Sequence, residues 1–442
     1  MTQVRISLEE WSKVGPQDNP LLAGLNFDEH PSARTLAEEL SRSDIIEAQE
    51  LAHGLFIRST SHVGSVDLGP VHLTITPKIT GMPLLTLLRY AYGLRDLRLG
   101  EDVEYEVSGS PFRDLLLRQL LREAKELIAR GLHRRYQPSD EELVSPRGRF
   151  SFGLLARRGG VTQATLPCRH HPRLTDCLPN QVLLSGLELG VQSTEDTDLR
   201  TRLRRVAALL SNGISRIELS DGVFAQLSRQ ANRLTRSYRP AFQLIEMLFQ
   251  GGGPVLNAER GRIRLPGFLF DMNRFFQALM GRFLQEHLPE HSLREEYRLK
   301  GMFSYVPGFN PQRKQAPTPR PDFVVFGAEG PIAILDAKYR DLWAQSLPRD
   351  MLYQLALYAL SQRRRLQAII LYPTLDTLAQ EARIEVREPL VGTAKAEVVL
   401  RPADLNRLAE LVRPPSSARR TRACTALAHR FVFGEPTRGG MI

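Results

Sequence analysis

At 442 residues, 42% of them hydrophobic and 24% charged, the chain is long enough for two or three domains with cores of their own and has an ordinary globular composition. No run approaches the ~20 apolar residues of a membrane span, and the opening Met1-Thr-Gln-Val-Arg-Ile-Ser7 lacks the apolar stretch of a signal peptide, so a cytoplasmic protein with no membrane partner is expected. A net charge of +10, carried mainly by arginine, suits a polyanion such as DNA, while the lack of a Gly-x-x-x-x-Gly-Lys-Ser/Thr loop argues against nucleotide hydrolysis by this chain itself.

Turn formers at Gly15-Pro16, Asn19-Pro20 and Pro31 surround a short strand expected at 4–8. A polar-faced helix is expected over 35–51, leading into three short strands at meander spacing, 54–58, 63–67 and 71–76. Pro77-Lys78-Ile79 closes them and Pro83 opens an apolar helix through Tyr92. The most helical stretch of this half is 111–130, with Leu116, Leu120 and Leu127 on a core stripe and Gly131 at its end. Arg134-Arg135-Tyr136 and Pro146-Arg147-Gly148-Arg149 follow, readable either as a DNA contact or as solvated basic surface.

Cys168, Cys177 and Cys424 are too few for a disulfide framework or a four-cysteine iron–sulfur cluster. Cys168, His170, His171 and Cys177 match no common zinc spacing, and Pro172 interrupts them. Helices at 178–189, 199–210, 222–234 and 238–250 precede a break at Gly251-Gly-Gly-Pro254. A further helix is expected over 268–287, burying Phe270, Phe275, Phe276, Leu279 and Phe283, and then a strand at 294–299.

The chemistry concentrates after Pro319. Two runs rich in β-branched and aromatic residues, Phe323-Val-Val-Phe326 and Ile332-Ala-Ile-Leu335, flank a Gly/Pro-containing break and predict a hairpin. With its turn centred near Glu329, each residue faces the one whose number brings the sum to about 658, which places Asp322 opposite Asp336. Strand alternation then puts Ile332, Ile334, Asp336 and Lys338 on one face. Two carboxylates in near contact repel unless a cation lies between them, and hard oxygen ligands suit Mg²⁺ or Mn²⁺. Such an ion polarises a phosphoryl oxygen and activates water, with Lys338 holding that water or stabilising the developing charge. The alternative is a surface hairpin carrying an Asp/Lys ion pair.

This residue set resembles the PD-(D/E)xK nuclease motif, with Asp322 and then Asp336-Ala337-Lys338. Gln354 and Tyr358, one helical turn apart, look like the Gln-x-x-x-Tyr element of its RecB-like branch. Beyond it, 368–372 reads as a strand covered on both sides, 396–400 as another, and 401–442 as a basic tail with eight arginines against Asp404, Glu410 and Glu435.

Several stretches in order resemble the McrC family, the nuclease subunits of McrBC-type (5-methylcytosine-specific) restriction systems. They are Ile75-Thr-Pro77-Lys78-Ile79, the Phe112-to-Gly131 helix with Tyr136, Pro146-Arg147-Gly148-Arg149, Cys168 to Leu183 with Asn180, Leu269-Phe-Asp271-Met-Asn273-Arg-Phe-Phe276, and the Asp322/Asp336/Lys338 set. The resemblance implies an α+β chain: an N-terminal β-rich and helical partner-binding region at 1–160, a helical region at 161–265, an α/β PD-(D/E)xK nuclease domain at 266–400, and the basic tail. It implies a Mg²⁺-dependent DNA endonuclease subunit for phage defence, with DNA and a hexameric AAA+ GTPase of the McrB kind as partners, whose GTPase it stimulates. Asp322, Asp336 and the Ala337 carbonyl would bind metal, Lys338 would act on the water or transition state, and Gln354 and Tyr358 would support the site.

Two positions depart from that pattern. Gln277 stands where the family often has Glu, so either its neutral amide or Asp271 on the same stretch is a candidate further ligand, and Ala337 stands where Thr is common. Competing readings are a non-catalytic assembly or activator subunit with a nuclease-like fold, and a stand-alone RecB-like exonuclease.

Overall fold

The computed structural model describes residues 3–94, 112–161, 163–252, 254–257, 261–264, 267–362, 366–414 and 417–435; Pro111, Gly253 and Arg438 of the sequence reading lie outside them. Internal contacts group the chain into two units, Met1–Gly109 with Val255–Ile442, and Ser110–Pro254.

The first unit opens with strands β1 (Val4–Glu9) and β2 (Lys13–Val14), helix α1 (Pro31–Arg42), strands β3 (Ile46–Leu51), β4 (Gly54–Ser59), β5 (His62–Leu68) and β6 (Val71–Thr76), and helix α2 (Gly81–Tyr92). It resumes with β7 (Gly267–Asp271), α3 (Met272–His287), β8 (Ser292–Glu295), β9 (Phe323–Gly327), β10 (Gly330–Ala337), α4 (Arg349–Leu360), β11 (Gln367–Thr374), β12 (Ala382–Arg387), β13 (Ala394–Asp404), α5 (Leu405–Val412) and α6 (Ala418–Phe433). Besides a two-stranded ribbon of Pro254–Asn257 with Gly261–Arg264, the described residues form three sheets, ordered β2-β4-β3, β1-β6-β5-β7 and β8-β9-β10-β11-β13-β12.

The hairpin lies in the expected register. Phe323 faces Leu335, Val324 faces Ile334 and Val325 faces Ala333, and a one-residue shift beyond Val325 is absorbed at the turn end, where Phe326 faces Pro331. β10, β11 and β13 run parallel, and α4 makes the crossover from β10 to β11. One face of this sheet buries Val324, Ile334, Ile370 and Val398 with Leu355, Tyr358 and Ala359 of α4.

Four expectations are corrected. The helix over 35–51 ends at Arg42. Asp44 takes a left-handed φ of 54°, and Ile46 to Leu51 pair with β4, so tertiary pairing that buries Ile46 overrides the helical propensity of the following Glu-Ala-Gln-Glu. The three strands do not form one meander, because β4 joins the β2/β3 sheet while β5 and β6 pair with β7 and β1. The helix over 268–287 starts only at Met272, since Asp271 accepts hydrogen bonds from the amides of Asn273 and Arg274 as its N-cap and Phe268 to Phe270 pair with β5. Finally, the described residues of 401–442 do not form a loose tail. β13 continues to Asp404, and Asp404 and Ser417 cap α5 and α6. Arg401, 2% exposed, is held by Glu381 at 2.6 Å and the Phe431 carbonyl at 2.9 Å.

The grouping also differs from the expected division, in which 1–160 and 266–400 are separate blocks. Pairing of β7 with β5 places the N-terminal strands and the C-terminal sheet in one unit. The strand expected at 294–299 is the shorter β8, and the edge strand β12 was not foreseen.

The second unit packs helices Phe112–Arg130, Leu178–Ser193, Thr197–Ser211 and Arg239–Gly252 around Leu117, Leu120, Val182, Leu187, Leu203 and Leu244. A small sheet and a two-stranded ribbon, Arg135–Tyr136 with Arg173–Leu174, complete it. Among the described residues no helix is long and apolar enough to cross a membrane, and no three His, Cys, Asp or Glu side chains gather as a metal cluster.

Gly64 is the tightest point of the β5/β7 contact. Its φ is +132°, and a Cβ there would sit 2.0 Å from the Phe268 carbonyl oxygen. Gly64→Ala is expected to cost about 2 kcal/mol or more, read as a fall of several degrees in the thermal midpoint.

Candidate active site

The site forms where β9 begins and β10 ends, at the carboxyl end of the parallel strands β10 and β11. Asp322 is held from both sides: its carbonyl accepts from the Glu296 amide at 2.9 Å, and its Oδ2 accepts from the Ala337 amide at 2.8 Å. Lys338 continues the parallel pairing through its amide to the Leu371 carbonyl, at 3.0 Å. Its Nζ then lies 3.1 Å from Asp336 Oδ2 and 3.8 Å from Asp322 Oδ2. The two acids and the amine of the sequence reading are therefore brought together.

Asp336 is 2% exposed, and its Oδ1 is buried with no hydrogen-bond partner among the described residues. Burial, then repulsion from Asp336, pushes the Asp322 carboxyl up to about 7, against the opposing pull of Lys338 and the Ala337 amide. Burial pulls the Lys338 ammonium down, but the charges of Asp336 and Asp322 together outweigh it and leave it raised. One ammonium thus faces two carboxylates in a partly enclosed setting, with Asp336 Oδ1 left without a hydrogen-bond partner among the described residues.

Of the further candidates, Gln277 reaches the site, its Nε2 donating to Asp322 Oδ1 at 3.2 Å. Asp271 is engaged elsewhere, capping α3 and lying 3.7 Å from Arg274 Nε. Gln354 Nε2 donates to the Tyr358 hydroxyl at 2.8 Å, and buried Tyr358 sits within the field of both acids and Lys338, its phenol raised by burial first.

Glu10 and Trp11, which the sequence reading did not single out, and Asn273, quoted there only within a family-like stretch, grip the next residue along. Tyr339 donates its hydroxyl to Glu10 Oε1 at 2.9 Å, its carbonyl accepts from Trp11 Nε1 at 2.9 Å, and its amide donates to Asn273 Oδ1 at 3.0 Å. Glu10 also accepts from the Lys78 amide at 2.9 Å, and burial pushes its carboxyl up to about 7. Trp11 adopts φ 59°, uncommon for a bulky residue, with Arg340 stacked over its ring at 5.3 Å. The local signals for this clamp are Ile75-Thr-Pro77-Lys78-Ile79 and the Leu269–Phe276 stretch that holds Asn273; Glu10 and Trp11 lie more than 300 residues from Tyr339.

Chemically, Asp322 and Asp336 offer hard carboxylate oxygens, and the unpartnered Asp336 Oδ1 would suit a small divalent cation that retains several waters, while Gln277 turns its amide nitrogen rather than its oxygen to Asp322.

The family described as McrBC 5-methylcytosine restriction system component matches residues 57–373. A solved structure described as a refined half-complex from a tetradecameric assembly of Thermococcus gammatolerans McrB AAA+ hexamers with bound McrC shares the fold. The match has a TM-score of 0.57 and 19% identity, covering 96% of this chain and 99% of the other. A second, the cryo-EM structure of the Thermococcus gammatolerans McrBC complex, matches at TM-score 0.47 and 18% identity over 64% of this chain and 88% of the other. A comparison with curated proteins returns no match.

The electrostatics of Asp322 carry a sign that can be tested without metal. Its folded-state carboxyl binds a proton more tightly than the ordinary Asp value of 3.8, so its contribution to stability is full below that value and is lost as pH rises towards about 7. In EDTA, Asp322→Asn is expected to raise the thermal midpoint at pH 8 relative to wild type, with the gain shrinking towards pH 4. A gain that grows on acidification would contradict the burial and repulsion described here.

Proposed function

The chain belongs to the family of McrBC 5-methylcytosine restriction system components, and from that premise we propose that it is the DNA-cutting subunit: a Mg²⁺-dependent endonuclease of the PD-(D/E)xK, RecB-like kind. The observation that carries the proposal is the Lys338 ammonium at 3.1 Å and 3.8 Å from two carboxylates, one of which keeps a buried oxygen unfilled.

Asp322 and Asp336 would hold the ion with the Ala337 carbonyl and waters, and the bound ion would supply Lewis-acid polarisation of the scissile phosphate and an acidified water. Lys338 places a positive charge where negative charge grows on the phosphoryl group, in a site whose burial strengthens that interaction. Ala337 orients Asp322 through its amide, Gln354 orients Tyr358, and Tyr358 closes the apolar side of the site. The clamp on Tyr339 fixes the backbone that immediately follows Lys338, so Glu10, Trp11 and Asn273 act as positioning residues.

The proposed partner is a hexameric AAA+ GTPase of the McrB kind, because the structure that shares this fold has McrC bound to McrB AAA+ hexamers. The chain would cut DNA when docked to that ring and stimulate its GTPase, in the cytoplasm and as part of phage defence. A second reading, a non-catalytic activator subunit, draws support from Gln277, whose amide replaces a potential third carboxylate beside Asp322.

Asp336→Ala and Lys338→Ala are each expected to lower DNA cleavage by at least about 10²-fold while leaving the partner complex and its GTPase stimulation intact. Undiminished cleavage by both variants overturns the assignment. Calorimetry separates the second reading, since an activator would bind Mg²⁺ no better as wild type than as Asp322→Asn.

Trp11→Phe removes one hydrogen bond to the Tyr339 carbonyl and keeps the ring. The expected result is a roughly three- to tenfold lower cleavage rate at unchanged KM, from a contribution of about 1 kcal/mol. An equal loss of GTPase stimulation would show that the residue serves general folding.

A further inference from the structure

The second unit carries a concave surface that the cutting chemistry does not use. It lies between the 133–136 segment, the helix Asp221–Gln230, the loop that follows it and the start of Arg239–Gly252, and encloses about 1160 Å³. That exceeds the ~300–1,000 Å³ of an ordinary small-molecule pocket.

Five arginines line it: Arg134, Arg135, Arg233, Arg236 and Arg239. All are exposed, and none has an ion-pair partner among the described residues. Elsewhere in the same unit Arg118, Arg158 and Arg216 pair with Asp196, Glu142 and Glu188. Among the described residues of the lining, Glu246 is the one acid. Like charges gathered in a concavity repel unless an anion enters, so the surface is primed for phosphates or carboxylates.

The walls are set in advance. The His133 amide donates to the Tyr238 hydroxyl at 2.8 Å, that hydroxyl donates to Asn180 Oδ1 at 2.7 Å, and Asn180 Nδ2 donates back to the His133 carbonyl at 2.8 Å. Asn180 and Tyr238 are fully or almost fully buried, so this closed network ties the arginine segment to two helices. The positive field is felt at His133 itself, whose imidazole is pulled down by burial first and then by Arg173 and Arg135.

One feature favours nucleic acid over an acidic polypeptide. Tyr136 on the lining is 66% exposed, a ring offered to solvent beside arginines, as in surfaces that stack bases. A base inside a duplex is already stacked on its neighbours, so stacking on Tyr136 calls for an unpaired one.

We propose that this groove binds single-stranded DNA, with its phosphates on the five arginines and a base stacked on Tyr136. The inference goes beyond the cutting site, since every residue it uses belongs to the second unit.

The test is fluorescence anisotropy of the full chain with a labelled oligodeoxythymidylate, in EDTA, across a salt series. Wild type is expected to bind the single strand more tightly than a duplex of equal length. The triple variant Arg233→Gln, Arg236→Gln, Arg239→Gln should lose at least tenfold in affinity, and its log–log salt slope should flatten by about 2, at ~0.7 per phosphate contact. Tyr136→Ala should lose at least about fivefold with an unchanged slope. Unchanged affinity and slope in the triple variant overturn the proposal, as does duplex preference with a neutral Tyr136→Ala. Displacement by polyglutamate as effective as by unlabelled oligonucleotide also overturns it, assigning the groove to an acidic polypeptide.

Discussion

One ammonium set against a buried and a half-buried carboxylate is the constraint on which the C-terminal half of this protein depends. Asp336 is almost fully enclosed, and burying a charge is costly unless it is paired, so Lys338 and Asp336 have to arrive together at the end of β10. Strand alternation guarantees this for residues two apart, but Asp322 comes from another strand and relies on register. A slip of one residue would turn its carboxylate away from Asp336. The observed shift in the ladder sits beyond Val325, next to the turn, so the irregularity lies at the end of the hairpin away from the acids.

Helix α3 links this electrostatic arrangement to the rest of its unit. Asn273 and Gln277 lie one turn apart and face the same way. The first donates to Ser61 Oγ at 2.7 Å and accepts from the Tyr339 amide, and the second donates to Asp322. Because β7 runs directly into α3 and pairs with β5, the position of this helix is dictated by the N-terminal sheet. The N-terminal strands and the acidic site are in this sense one mechanical piece. Glu10 and Trp11 add a second connection, reaching Tyr339 from the end of β1.

Much of the site was legible because its determinants are local. Period-two alternation, a Gly/Pro break and a short turn define the hairpin, and with it the facing of Asp322 and Asp336. The reading failed where two local preferences compete. Glu47-Ala-Gln-Glu50 favours a helix in isolation and becomes a strand because β4 offers a partner. Asp271 was weighed as a metal ligand when its position before Met272-Asn-Arg marks a helix start, which would have separated the strand residues Phe268 to Phe270 from α3. The C-terminal arginines suggested a tail, although Asp404 and Ser417 were readable caps. Glu10 and Trp11 carry no signature at all, since their partner lies 328 or more residues away and only the folded sheet brings them together.

The departure at Gln277 has a physical logic of its own. A glutamate there would add a third negative charge beside Asp322, whose carboxyl burial and Asp336 have already pushed up to about 7. The amide does the reverse, donating a hydrogen bond to Asp322 Oδ1 and so favouring its ionised form. Two carboxylates and one ammonium leave the side chains with a single net negative charge. A divalent cation would convert this to a single net positive charge, which the one negative charge of a phosphodiester neutralises. With glutamate the same cation would leave the site neutral, and DNA would have to be attracted by surfaces elsewhere. On the proposed reading the amide would therefore shift work from metal retention towards phosphate attraction, and a bound ion would depend more on its waters and on the substrate itself.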